Sequence, residues 1–172
     1  MPDPMLQSLA EQVGARLKAA GLVLACAESC TGGWVAQAVT AVAGSSDWFD
    51  RGFVTYSNAA KHEMLGVATA TIDRFGAVSE ETARSMAEGA LAHSHAGISL
   101  AITGVAGPTG GTPEKPVGMV CCAWARRGGA MQSRTLRLAG NREQVRRQSV
   151  AAALEGVVEM LDRNPPETPE KP

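Results

Sequence analysis

The chain lacks an excess of charge of either sign: 16 basic against 17 acidic residues leave a formal net charge of −1. Proteins that hold nucleic acid by neutralising its phosphates carry a basic surplus, so direct nucleic-acid contact is not expected. Aromatic residues are also scarce, at 4%. With many alanines and glycines in their place, the composition suits close helix–sheet packing better than a stacking platform for bases. No apolar run approaches the length of about 20 residues that a membrane-spanning helix needs. Nor does the N-terminus show a basic segment followed by an apolar core and a cleavage signal. These absences lead us to expect a cytoplasmic protein with no membrane partner. Cysteine is limited to Cys26, Cys30, Cys121 and Cys122, without a C-x-x-C pair, and we read all four as small buried thiols of a reducing compartment. His93 and His95 lie close in sequence, but no carboxylate or cysteine cluster stands beside them, so no metal site is expected; their place near a helix exit suits an interaction with its dipole.

What is present is an ordinary globular composition, 45% apolar over 172 residues, enough for one domain with a sizeable core. The patterning predicts that domain over 1–163 and a disordered tail over 164–172, where four prolines alternate with charges. Leu6, Leu9, Val13 and Leu17 mark one face of a helix from Met5 to Ala20, ended by Gly21. A strand follows, then a helix from Trp34 to about Ala43, a strand over Phe49 to Ser57, and a short helix capped by Ser57 or Asn58. Thr69 to Val78 reads as a connection, and Ser79 caps a longer helix to about His93. Three strands then run over Gly97 to Thr103, Val117 to Ala125 and Met131 to Leu138, the last two joined by a hairpin turn at Arg126–Gly129. A final helix begins at Gly140–Asn141 and has an apolar face from Val145 to Leu161. The expected architecture is α/β: a three-layer α/β/α sandwich around a mixed sheet of about five or six strands.

The chemistry gathers at Leu22–Gly33, an apolar run that turns into the polar, glycine-rich Ala27-Glu-Ser-Cys-Thr-Gly-Gly33. A strand, a tight turn and a helix start put Ser29 where α/β folds expose groups to ligands. Thr31, Gly32 and Gly33 offer backbone N–H groups at a helix start, which suit a phosphate or a developing oxyanion. Alternatively, Ser29 only caps the helix. The turn is neither G-x-S-x-G nor S-x-x-K. Tyr56 and Lys61 emerge at the same end of the sheet; alone, they read as a half-buried tyrosine and a solvated surface lysine. A second glycine-rich loop, Gly104–Gly118, lets the backbone approach a ligand closely. It is neither a P-loop nor a dinucleotide fingerprint. Arg142 lies at a helix start, where it opposes the dipole, and so reads either as facing an acidic ligand or as a solvated side chain.

Five blocks now stand in order: Ala27–Gly33; Arg51-Gly-Phe-Val-Thr-Tyr-Ser-Asn58 with Lys61; Gly76-Ala-Val-Ser79; Thr103-Gly-Val-Ala-Gly-Pro108 with Gly110-Gly111; and Lys115-Pro-Val-Gly118. Together they closely resemble the CinA C-terminal domain family, whose stand-alone members are nicotinamide-nucleotide amidases. The likeness covers Leu6 to Leu161. It implies hydrolysis of the amide of nicotinamide mononucleotide to nicotinic acid mononucleotide and ammonia, in pyridine nucleotide salvage, with no metal or other cofactor. The family's serine, lysine and tyrosine fall on Ser29, Lys61 and Tyr56. In this reading Lys61 is the base and Tyr56 relays the proton or orients Lys61. Thr31, Gly32 and Gly33 hold the oxyanion, while Thr103, Gly104, Gly107 and Arg142 bind ribose and phosphate; a competing assignment puts the phosphate on Thr31–Gly33. The resemblance further implies a homo-oligomer, a dimer being expected. The rival from another class is a non-catalytic nucleotide- or partner-binding module linked to competence or DNA damage.

Overall fold

Asp3 opens the first helix. Its carboxylate accepts the Met5 and Leu6 N–H groups, and Pro4 follows where a missing N–H costs nothing. Gly21, in the left-handed region, closes α1 (Pro4–Ala20). The computed structural model describes residues 2–163; the tail expected to be disordered lies outside the described residues. After α1 come β1 (Leu24–Glu28), α2 (Trp34–Thr40), a short 3-10 turn (Ser45–Asp47) and β2 (Phe49–Val54). These are followed by α3 (Asn58–Leu65), α4 (Thr69–Phe75) and α5 (Glu80–Ala92), then β3 (Ile98–Gly104), β4 (Met119–Arg126), β5 (Met131–Arg137) and α6 (Arg142–Arg163).

The strands form one five-stranded sheet in the order β2-β1-β3-β4-β5. β1 pairs in parallel with both β2 and β3, whereas β4 runs antiparallel to β3 and to β5. This is the mixed sheet expected, with five strands. Side chains alternate between its two faces. Leu24, Cys26, Ile98, Leu100, Ile102 and Trp124 point to one side, where α1, α2 and α6 bury them. Ala25, Ala27, Ala101, Ala123 and Ala125 point to the other, against Ala83, Met86, Ala87 and Ala90 of α5. The alanine face brings α5 close to the sheet, and the fold is the expected three-layer α/β/α sandwich. Trp48 is core, 2% exposed; Trp34 is half-buried on α2.

The clearest departure from expectation is Thr69–Phe75, read as a connection and found as the helix α4. It has seven residues, no side-chain cap and one buried residue, Ile72, so it leaves neither an apolar stripe nor a capping signature to read. α2 stops at Thr40 and β2 at Val54, each short of its expected end.

α3 rides on α5 through a glycine. A Cβ on Gly89 would stand 2.1 Å from the carbonyl oxygen of Leu65, the last residue of α3. Gly89→Ala must therefore push α3 away from α5. The expected cost is about 1–3 kcal/mol of stability, read as a lowered midpoint in thermal or urea denaturation.

Candidate active site

The carboxyl ends of the adjacent parallel strands β1 and β3 open into a cavity of about 340 Å³, the place where open α/β sheets bind ligands. Ser29 follows β1 directly, and its N–H donates to the carbonyl of Ile102, extending the β1–β3 ladder by one residue. Ser29 is therefore fixed to its neighbour strand. The cap of α2 is Gly33, which makes no side-chain cap bond, so the reading of Ser29 as a plain helix cap does not hold.

Lys61 reaches Ser29 from α3. The Ser57 hydroxyl accepts the Ala60 N–H and starts that helix. Lys61 and Leu65, four residues apart, are its buried residues and share one face. Leu65 packs on α5 while Lys61, only 2% exposed, turns its Nζ into the cavity. Nζ stands 3.0 Å from Ser29 Oγ and donates to the Thr55 carbonyl oxygen, also at 3.0 Å. Burial pushes the Lys61 pKa down from the ordinary 10.5; the neighbouring Cys30 acts weakly the other way. Cys30 also lines the cavity, but burial pushes its thiol up to about 11. It is protonated at neutral pH and is no rival nucleophile there.

Tyr56 lines the same cavity and is 63% exposed, more open than the half-buried reading. Its hydroxyl accepts from Arg142 Nη2 at 3.1 Å. The group that orients Lys61 is the Thr55 carbonyl. Arg142 also donates to the Gly107 carbonyl at 2.8 Å, tying the start of α6 to the glycine-rich loop. Asn141 and Gln144 brace that start by exchanging side-chain and backbone hydrogen bonds, the reciprocal pattern of a capping box. Thr103, Gly104 and Gly107 complete the expected set on this cavity. The Thr103 hydroxyl is already committed to the Ala77 carbonyl, at 2.7 Å.

Thr31, Gly32 and Gly33 lie elsewhere. They line a second, open hollow of about 590 Å³ together with Trp34, Arg142 and Arg146, so Arg142 stands between the two. At the helix start expected to receive an anion, several N–H groups are already bonded within the protein. Trp34 N–H donates to the Thr31 carbonyl and Gly32 N–H to the Ser29 carbonyl. The Val35 and Ala36 N–H groups go to the carboxylate of Glu28, at 2.8 and 3.2 Å. The Thr31 hydroxyl donates to that carboxylate too, at 2.7 Å. Glu28 and Thr55 are the residues that the sequence reading passed over. Glu28 left a signal, an acidic residue closing an apolar strand just before a glycine turn; Thr55 acts through its main chain and left none. Among the described residues no group of histidine, cysteine and carboxylate side chains is arranged to hold a metal ion, and no helix is long and apolar enough to cross a membrane.

A family model described as the CinA C-terminal domain matches residues 6–161. The chain is 49% identical over 164 residues to nicotinamide-nucleotide amidohydrolase PncC of Escherichia coli strain K12, covering 95% of this chain and 99% of that protein. It is 46% identical over 164 residues to the protein of the same name from Enterobacter agglomerans, covering 95% of this chain and 100% of the relative. The crystal structure of competence/damage inducible protein CihA from Agrobacterium tumefaciens superposes with a TM-score of 0.91 at 45% identity, over 93% of this chain and 98% of that one. With the match spanning nearly all the described residues, this chain belongs to the CinA C-terminal domain family.

Proposed function

We propose that the chain is an amidohydrolase that converts nicotinamide mononucleotide and water to nicotinic acid mononucleotide and ammonia, with Ser29 as nucleophile. The observation that carries this reading is the 3.0 Å contact between Ser29 Oγ and a buried lysine nitrogen. The name of the relatives supplies the substrate. A serine hydroxyl is a weak nucleophile until a base takes its proton. A neutral lysine has one lone pair and two N–H donors. Its lone pair receives the Ser29 proton while an N–H remains on the Thr55 carbonyl. Desolvation moves the balance toward the neutral form, since removal from water disfavours the ammonium.

Ser29 Oγ attacks the carboxamide carbon as its proton passes to Lys61 Nζ. The resulting ammonium gives that proton to the departing nitrogen, the C–N bond breaks, and ammonia leaves an ester on Ser29. Lys61 then takes a proton from the water that attacks this ester; its return to Ser29 Oγ frees the carboxylate product. Arg142, with the 103–110 loop, is the candidate to hold ribose and phosphate. The Thr31–Gly33 helix start is the poorer phosphate site on this reading, because the Glu28 carboxylate, bonded to the next N–H groups of α2, opposes a second anion beside it. Tyr56, bonded to Arg142, belongs on this reading to the orientation of Arg142 and the bound nucleotide. The non-catalytic module gains no support from a lysine buried against a serine hydroxyl.

Three outcomes test the proposal. Purified protein releases ammonia from nicotinamide mononucleotide; Lys61→Met lowers kcat by about 10²–10⁴-fold, and Ser29→Ala lowers it at least as far. Full activity in Ser29→Ala contradicts the covalent route. In the wild type, kcat/KM rises with pH along a limb below 10.5, because the burial that lowers the Lys61 pKa lets the amine lose its proton earlier. A limb at or above 10.5 contradicts Lys61 as that base. Arg142→Ala raises KM more than it lowers kcat, as expected for a group that binds substrate and transition state alike.

A further inference from the structure

The acidic residue inside the Ala27–Gly33 block has no part in the reaction just described, yet it is among the most deeply buried polar groups of the protein, at 1% exposure. All four groups around its carboxylate are donors. Oε1 accepts from the Thr31 hydroxyl and the Val35 N–H, and Oε2 from the Ala36 N–H and, at 3.8 Å, the Cys26 thiol. A carboxylate, which only accepts, suits this cage on both oxygens.

If the sole need were to start α2, a serine or aspartate at position 33 would cap it locally. Instead Gly33 stands there at φ 103°, and the capping carboxylate comes from the residue before Ser29. It reaches across the turn and closes 28–35 into a ring with Ser29 inside. The main chain of Glu28 carries a second link. Its carbonyl accepts the Thr55 N–H at 2.9 Å, and the Thr55 carbonyl accepts from Lys61 Nζ. One residue is thus joined to both sides of the 3.0 Å Ser29–Lys61 contact, through its side chain to the serine's turn and through its backbone to the lysine's anchor.

We propose that Glu28 is a positioning residue, whose carboxylate sets the geometry of Ser29 against Lys61. The inference rests on the reading of Ser29 as nucleophile. The effect is geometric, since none of the four groups at the carboxylate is Lys61.

The test combines Glu28→Gln, Glu28→Asp and Thr31→Val, each checked for folding by circular dichroism. Glu28→Gln keeps an acceptor for Thr31 and Val35 but turns a donor toward the Ala36 N–H. Glu28→Asp keeps the charge and withdraws it by one methylene. Thr31→Val leaves Glu28 in place and removes one partner, so it reports should the Glu28 variants fail to fold. Misplacing reacting groups by about 1 Å costs about 10²-fold. We expect kcat to fall about 10–100-fold in both Glu28 variants and less in Thr31→Val, with KM changed by no more than about twofold. The acid limb of the pH profile stays in place. Unchanged kcat with only a lowered melting temperature overturns the proposal, as does a fall in kcat matched by a rise in KM. Rescue by Glu28→Asp alone, or a moved acid limb, shows an effect of charge and overturns it too. Should the folded wild type release no ammonia, the substrate reading fails by itself. The geometry is then read from the labelling rate of Ser29 by a fluorophosphonate, located by mass spectrometry. Slower labelling in Glu28→Gln supports the proposal; equal labelling, or none in either protein, overturns it.

Discussion

A lysine held out of water is the constraint on which this site depends. Taking an ammonium from water into a protein interior costs several kcal/mol even after relaxation. The two partners found for Lys61 Nζ, a hydroxyl and a carbonyl, carry no formal negative charge to offset that cost. The environment therefore shifts the balance toward the amine, the form able to receive a proton. Cys30 beside it shows the same physics in the opposite sense. Burial raises the thiol to about 11 and keeps it protonated at neutral pH.

The rest of the fold delivers that lysine. One face of the sheet is built from alanines, so α5 lies close; Gly89 lets the end of α3 settle on α5; and Leu65 turns the inner face of α3, with Lys61 on it, toward β1. On the other side of the contact, β3 holds Ser29 through its N–H and α2 holds the turn through Glu28. The glycine-rich loop and Arg142 close the cavity opposite. Hydrophobic packing sets the layers, and a few hydrogen bonds set the last ångström of the site. Substitutions in the packing should reach stability first, and substitutions among those bonds should reach rate.

Much of this was legible in the sequence, and the limits have physical causes. Periodicity gave the layers and nearly all the elements, because α1, α5 and α6 are long and amphipathic and the central strands β1, β3 and β4 are apolar. α4 was not legible, being short, uncapped and nearly coreless. Ser29, Lys61 and Tyr56 were placed at one end of the sheet from strand ends and a capping serine. The burial of Lys61 was not legible, because a single lysine in a short helix reads first as a solvated side chain; its place on the buried face with Leu65 shows only in the fold. Thr31–Gly33 has the composition of an anion site, and the Glu28 carboxylate takes the Val35 and Ala36 N–H groups just beyond it. A sequence shows which N–H groups a helix start exposes, but not that a side chain from the preceding strand has taken some of them. Thr55 contributes a carbonyl, which any residue possesses, so no pattern could have marked it.

The central claim is that the Lys61 amine is available as a base at pH values where a free lysine is charged. The most direct measurement is NMR titration of protein labelled with ¹³C at lysine Cε, with the Lys61 resonance assigned by its loss in Lys61→Met. The account predicts a midpoint for Lys61 below 10.5, the ordinary lysine value from which burial lowers it. A midpoint at or above 10.5 in the folded protein contradicts the account.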